Sequence, residues 1–412
     1  MHPEIARLRA AGVAAAIGNG LTGVVLPLTL ASVLEPTAVA VALAGMGIGM
    51  MLSFARGGSA ADVSNRVHTM VRTDLVRAAM NIIVALGLAG ATWAVLPPVA
   101  LVVIVTIGCL GNGLMAGYFR PAQASLWASL IGRDRLQREL QINSMLNRSG
   151  LALGAAAGGI LITFDSGIWG FYVDALSFLI TAALVRSIVD PRPKAAGTES
   201  GLVSRLLENV KRTLRIDREW RQIIVLTRRS TWMRFWFLCS LGASWTAAAS
   251  TVAAPVVLVA DYTSFEAGLF QTIRVFALLA GALLTLVLSR IVLAGFLDAW
   301  SGMGSALANL AIGVGMPAAI PTTVSGSAYF AQALSAPSMS TYVGHHFPED
   351  ERGRIYAAVQ GVSTVLSPLG MLTGAILMAI LPPETILTCS AALTLVFCAL
   401  PLLRRSYWNL AA

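Results

Sequence analysis

Four charged side chains, Arg120, Arg148, Asp174 and Arg274, fall within apolar stretches of this 412-residue chain. A charge in such a stretch costs a few kcal/mol on membrane-insertion scales, so each is expected to face a polar cavity or a partner. Asp174 is the carboxylate most clearly surrounded by apolar sequence. A desolvated carboxylate can carry a proton, which makes Asp174 a candidate for proton coupling, with Glu266 as a second. The competing role for Asp174 is a structural hydrogen bond. Arg120 and Arg148, each ~12 Å from one end of its apolar stretch at 1.5 Å per residue, can attract an anion or pair with Asp174 or Asp62. Arg274 follows Glu266 by eight residues and is the strongest candidate for contact with a bound molecule. Asn19, Gln271 and Gln332 offer uncharged polar contacts in other apolar stretches, and Trp236, Trp245, Phe270, Phe276 and Tyr329 could line an amphipathic pocket.

Other chemistries lack their residues. There is no Walker loop, no Gly-x-Ser-x-Gly and no His-Glu-x-x-His, so neither ATP hydrolysis nor a hydrolytic active site is expected. His345 and His346 are adjacent and precede Glu349, Asp350 and Glu351, but no third ligand has metal-binding spacing, which leaves a solvated segment. The four cysteines, Cys109, Cys239, Cys389 and Cys398, sit in apolar surroundings without a CxxC pair and read as small packing residues. No cofactor and no metal are expected.

The elements that position the charges are membrane spans. The chain is 56% hydrophobic and only 12% charged, with mean hydropathy +0.75. A soluble chain carries roughly 25% charged residues, so an ordinary soluble domain is excluded. A bilayer core needs ~20 apolar helical residues, and by that ruler twelve spans are expected, six within 11–188 and six within 232–403. The ninth and tenth are the least apolar, thinned by Gly, Ser and Pro. The alternating loops Glu35–Thr37, Leu96–Pro98, Phe164–Gly167, Asp261–Glu266, Met316–Pro321 and Leu381–Glu384 contain no Lys or Arg. That is the positive-inside bias, and it puts both termini in the cytoplasm of a multi-pass protein of the cell membrane. The net charge of +9 is then topogenic and lipid-facing, so membrane lipids rather than nucleic acid are the expected polyanionic neighbours. Three regions result: 1–188, a cytoplasmic linker 189–231 with an arginine-rich amphipathic helix, and 232–412. A linker helix of this kind would lie in the inner interface, or dock a partner, although no obligate protein partner is evident.

The halves repeat. A shift of 216 positions carries Pro121 onto Pro337, Asp134 onto Asp350, Arg138 onto Arg354, Gly154 onto Gly370 and Gly158 onto Gly374. Gly150, Gly154 and Gly158 recur every four residues, a spacing that lets helix backbones approach closely, and Pro368, Gly370 and Gly374 form the second-half counterpart. Duplicated six-helix halves imply substrate held near the midplane and alternating access by rocking of one half against the other.

The segment after the second span reads Gly57-Gly58-Ser59-Ala60-Ala61-Asp62-Val63-Ser64-Asn65-Arg66, followed by Asp74 and Arg77. Its Gly-x-x-x-Asp-x-x-x-Arg skeleton resembles the cytoplasmic loop signature of the major facilitator superfamily. The match covers Gly58, Asp62 and Arg66 and departs at Val63 and Val67, where further arginines are usual. The resemblance implies an all-α membrane protein of twelve helices in two pseudo-symmetric six-helix bundles, and a conformational latch made of Gly58, Asp62, Arg66, Asp74 and Arg77. The stretches 118–150, "DALSF" at 174–178 and 352–377 resemble the branch that holds macrolide-efflux proteins and the enterobactin exporter. That branch implies a secondary active transporter that expels a small amphipathic compound such as a drug, antibiotic or siderophore, with protons as the coupling ion. An uptake transporter for a small anionic nutrient and a non-transporting membrane scaffold or sensor are the alternatives.

If Asp174 is the coupling site, asparagine there abolishes transport driven by a pH gradient. Deletion of 195–225 separates transporter from scaffold: a transporter keeps measurable flux in proteoliposomes, whereas complete loss of function leaves the scaffold.

Overall fold

The computed structural model describes residues 3–63, 65–92, 96–131, 133–189, 231–287, 294–346 and 366–403. These form twelve α-helices: α1 (Pro3–Val33), α2 (Pro36–Val63), α3 (Arg66–Thr92), α4 (Pro98–Leu130), α5 (Arg133–Thr163), α6 (Gly167–Arg186), α7 (Thr231–Asp261), α8 (Ser264–Val287), α9 (Ala294–Gly313), α10 (Ala319–His346), α11 (Leu366–Met378) and α12 (Pro383–Ala399). No strand occurs among the described residues. Hydrocarbon offers no partner for backbone N–H and C=O groups, so a spanning segment must satisfy them within itself, as a helix does. Nine of the described helices, α1 to α8 and α12, contain stretches long and apolar enough to cross a membrane. Glycine and serine dilute α9 and α10, and the described part of α11 is short.

Helix starts follow local chemistry. Proline opens α2, α4 and α12, where its missing N–H costs nothing and its fixed φ suits the first turn. Gly315, at φ 69°, makes the tight reversal between α9 and α10 in a conformation most side chains avoid. The helices also overrun the apolar stretches that nucleate them. The helix of the second span continues to Val63, so Gly58 and Asp62 lie on helix rather than in the expected loop. Their side chains lie outside the described residues. The physical reason is continuity: a helix leaving the bilayer keeps its own hydrogen bonds, and the chain reverses only where the next helix can be capped. Asn65 does this, its Oδ1 accepting from the His68 amide at 3.1 Å. The expected linker helix lies outside the described residues.

The chain divides into two compact units, Met1–Arg215 and Ile216–Ala412. In the first, α1 packs on α5 and α6, α4 on α2 and α3, and α3 on α6. In the second, α7 packs on α12, α10 on α8 and α9, and α9 on α12, the same scheme six helices later. The repeat extends to single contacts. A Cβ on Gly154 would run into the backbone carbonyl of Ile17, and one on Gly158 would sit 2.9 Å from the Leu21 carbonyl oxygen. In the second unit Gly370 meets the Trp245 carbonyl and Gly374 lies against Ala249, so 17 maps to 245 and 21 to 249. Gly150 faces Ala16 and Val13 in the same seam, and Pro368 is buried beside Gly370.

Gly154→Ala therefore forces α1 and α5 apart and should destabilise the first unit by about 1–3 kcal/mol, as overpacking does. Gly23→Ala, where an added Cβ meets nothing within 4 Å, is the control. Thermal melting in detergent separates them: a marked fall for the first and no change for the second.

Candidate functional site

The first unit encloses a polar cluster between α1, α3, α4 and α6. Asp174 on α6 is buried, and Thr22 Oγ1 donates to its Oδ2 at 2.5 Å. Asn81 Nδ2 donates to the same oxygen at 2.7 Å, and Ser177 Oγ donates to Oδ1 at 3.1 Å. Asn112 on α4 donates to Asn81 Oδ1 at 2.9 Å and so orients the amide that serves Asp174. Arg77 reaches from α3 to donate to Asn19 Oδ1 at 2.9 Å, and its guanidinium lies 3.9 Å from the centre of the Phe178 ring. Gly18 on α1 leaves no room for a Cβ beside Asp174 and Ser177. Asp74 is also fully buried here, and neither of its carboxylate oxygens has a hydrogen-bond partner among the described residues.

Several sequence candidates thus meet in one place: Asp174, Asn19, Asp74 and Arg77. Arg77 spends its contacts on Asn19 and Phe178 within its own unit. Thr22, Asn81, Asn112 and Ser177 were missed by sequence reasoning. One signal was available, because Asp74, Arg77 and Asn81 are spaced i, i+3, i+7 and so share a helical face. Arg120 is exposed on α4 but acts electrostatically on Arg77, while Arg148 on α5 is half-buried. Arg66, almost fully buried at the start of α3, donates to Ser125 O at 2.7 Å and to Ser129 Oγ at 3.1 Å, tying α3 to the end of α4. Arg9 pairs with Glu139 between α1 and α5, an ion pair the sequence did not signal.

The second unit has no carboxylate at the equivalent place. Ser390 stands 216 positions after Asp174, and its hydroxyl meets that of Ser250 at 2.7 Å, where Thr22 meets Asp174 in the first unit. Another sequence candidate, Arg274, lies on α8 of this unit. This guanidinium donates to Gln271 Oε1 at 3.0 Å and to the Tyr329 hydroxyl of α10, and it lies 5.2 Å and 4.4 Å from the Phe270 and Tyr329 ring centres. No carboxylate pairs with it among the described residues, and its Nε is buried without a partner. Gln332, one turn beyond Tyr329, is exposed. Glu266 is occupied at the start of α8: its Oε2 accepts from the Thr263 amide and hydroxyl, each at 2.9 Å, and Thr263 Oγ1 accepts from the Glu266 amide at 3.3 Å. That reciprocal pair is a capping box, a structural task for a residue first considered for proton coupling.

No protein-family model matches the chain, and no curated protein sequence matches it. Solved structures do. A bacterial homologue of the iron transporter ferroportin, in an inward-facing state, aligns with TM-score 0.68 at 14% identity over 97% of this chain and 98% of that one. A POT family transporter in complex with a thioalcohol-conjugated peptide aligns at 0.67 and 13%, over 97% and 95%. A mutant of the nucleoside transporter NupG aligns at 0.65 and 12%, over 97% and 99%. Likeness at such identities speaks to architecture. The chain is an all-α, multi-pass membrane protein with the major facilitator fold.

Removing a donor from a buried carboxylate costs more than removing one from a hydroxyl. Asn81→Ala should destabilise the first unit by about 1.5–3 kcal/mol and Ser250→Ala the second by about 1 kcal/mol, read as the relative fall in melting temperature.

Proposed function

We propose that this chain is a secondary active transporter that exports a small amphipathic compound by alternating access, with protons as the driving ion, and that it works in the cell membrane with both termini in the cytoplasm. The observation that carries the reading is Arg274. It lies ten residues into α8, ~15 Å along the helix at 1.5 Å per residue, close to half the depth of a bilayer core of ~30 Å. A guanidinium at that depth, with no carboxylate paired to it among the described residues, can receive an anionic group. The Phe270 and Tyr329 rings beside it offer apolar area to the rest of the same molecule, and Gln271 holds the guanidinium in place. An amphipathic compound with an anionic or strongly accepting group fits that chemistry. Transport as the activity is supported by the fold, which solved transporters of metal ions, nucleosides and peptides share. Export is supported by the resemblance of 118–150, 174–178 and 352–377 to efflux proteins. Proton drive is supported by the buried carboxylates of the first unit, Asp74 and Asp174.

Uptake of an anionic nutrient uses the same arginine, and the direction of flux separates the two. In everted membrane vesicles an exporter accumulates substrate, and an importer does not. A panel of anionic, neutral and cationic amphiphiles in proteoliposomes, with and without a pH gradient, tests class and coupling together. Arg274→Ala should raise KM for anionic panel members by about 10- to 100-fold, the equivalent of a charged hydrogen bond of about 1.5–3 kcal/mol. An unchanged KM for every panel member removes Arg274 from the site, and indifference to the pH gradient removes proton drive.

A further inference from the structure

The two buried carboxylates of the first unit stand in opposite circumstances. Asp174 accepts three side-chain hydrogen bonds, from Thr22, Asn81 and Ser177, and feels the charge of Arg77. Each donor replaces a lost water, so the anion is less disfavoured there than at a buried carboxylate without donors. Asp74 is 0% exposed, and both of its oxygens lack a donor. It forms no ion pair among the described residues either: Arg77, three residues on, turns away to Asn19 and Phe178. An ionised carboxylate buried without donors or a paired cation costs far more than the same group neutralised by a proton.

The charges around Asp74 point the same way. Arg77 on its own helix and Asp174 on α6 act on it with opposite sign. Arg120 of α4 acts on Arg77, and α1 presents the neutral Asn19 and Thr22. One guanidinium therefore acts on two carboxylates, and the one rich in donors is the better placed of the two to bear charge.

We propose that Asp74, rather than Asp174, holds the transported proton in this conformation, and that Asp174, the carboxylate with donors, helps to keep Arg77 turned toward α1. Its part in coupling rests on the proton-driven reading above. Release follows from the same geometry. Arg77 is held to α1 by Asn19, and its Nε is buried without an acceptor. When a shift of α1 against α3 breaks the bond to Asn19, the guanidinium is free to pair with Asp74. The Asp74 O–H bond then breaks, the proton passes to water, and the new ion pair compensates the carboxylate charge. Return of Arg77 to Asn19 reverses the step. The conformational change and the proton are thereby linked through one arginine.

Infrared spectroscopy of the full-length protein in lipid nanodiscs reads the proton directly, with the pH of the medium as the only ligand varied. The wild type should show the C=O stretch of a protonated carboxyl at neutral pH, shifted by labelling with ¹³C-aspartate. Asp74→Asn should lose that band, and Asp174→Asn should keep it. Absence of the band in the wild type, its survival in Asp74→Asn, or its loss in Asp174→Asn alone would overturn the assignment. If Asp74→Asn fails to fold, the labelled Asp174→Asn protein still decides, since Asp74 and Asp174 are the buried carboxylates among the described residues. The same preparations, reconstituted with the amphiphile panel, isolate the coupling reading. A band on Asp74 in a protein whose flux ignores the pH gradient supports the proton site and overturns proton drive.

Discussion

The seam between α1 and α5 is the contact on which the first unit depends. Gly154 lies against the Ile17 carbonyl and Gly20 against the Leu151 carbonyl, so each helix supplies a glycine where the other brings backbone. In lipid, no hydrophobic drive distinguishes a neighbouring helix from an acyl chain, and close backbone approach is a main source of affinity between helices. That approach fixes the height and rotation of α1. Gly18 then fits against Asp174 and Ser177, Thr22 bonds to Asp174, and Asn19 meets Arg77. The polar cluster is thus assembled by small residues that are not themselves polar.

The second unit repeats the scaffold without repeating the electrostatics. Gly370 and Gly374 set α11 against α7 as Gly154 and Gly158 set α5 against α1, yet the hydroxyl pair Ser250 and Ser390 stands where Thr22 and Asp174 stand in the first. Neutral hydroxyls satisfy each other and carry little field. This unit instead carries Arg274 on α8, with aromatic and amide neighbours. A duplicated frame has in this way received a buried acidic pair with its arginine in one half and, among the described residues, a cation without a carboxylate in the other. The two features differ in sign and in setting, although the frames that carry them are alike.

Much of this was legible in the sequence, and the reason is that the bilayer imposes simple rules. Apolar length and the 216-residue repeat pointed to spans and duplication, and nine described helices carry the length and hydropathy of spans. Arg274 and Asp174 stood out because a charge in an apolar run must be accounted for. The Gly-x-x-x-Asp-x-x-x-Arg stretch was legible as a motif but misread as a loop, since a sequence pattern does not reveal that a helix continues past the apolar run to Val63. Glu266 was legible as an acid near a span end, but Thr263, three residues earlier, already marked the capping box it forms.

By itself the sequence determined the all-helical, membrane-spanning character of the chain and the residues whose burial would be costly, because those follow from local hydrophobicity and charge. Only the tertiary structure decided which costly residues share a site and which of them are satisfied. Along the chain Asp174, in an apolar run, looks the more exacting of the two acids, and Asp74, between Arg72 and Arg77, looks the better paired. Packing gave Asp174 donors from α1, α3 and α6 and gave Asp74 none. Hydrogen bonds between helices depend on rotation and height, and those are set by backbone approach at Gly18, Gly20 and Gly154, far outside the reach of any local pattern.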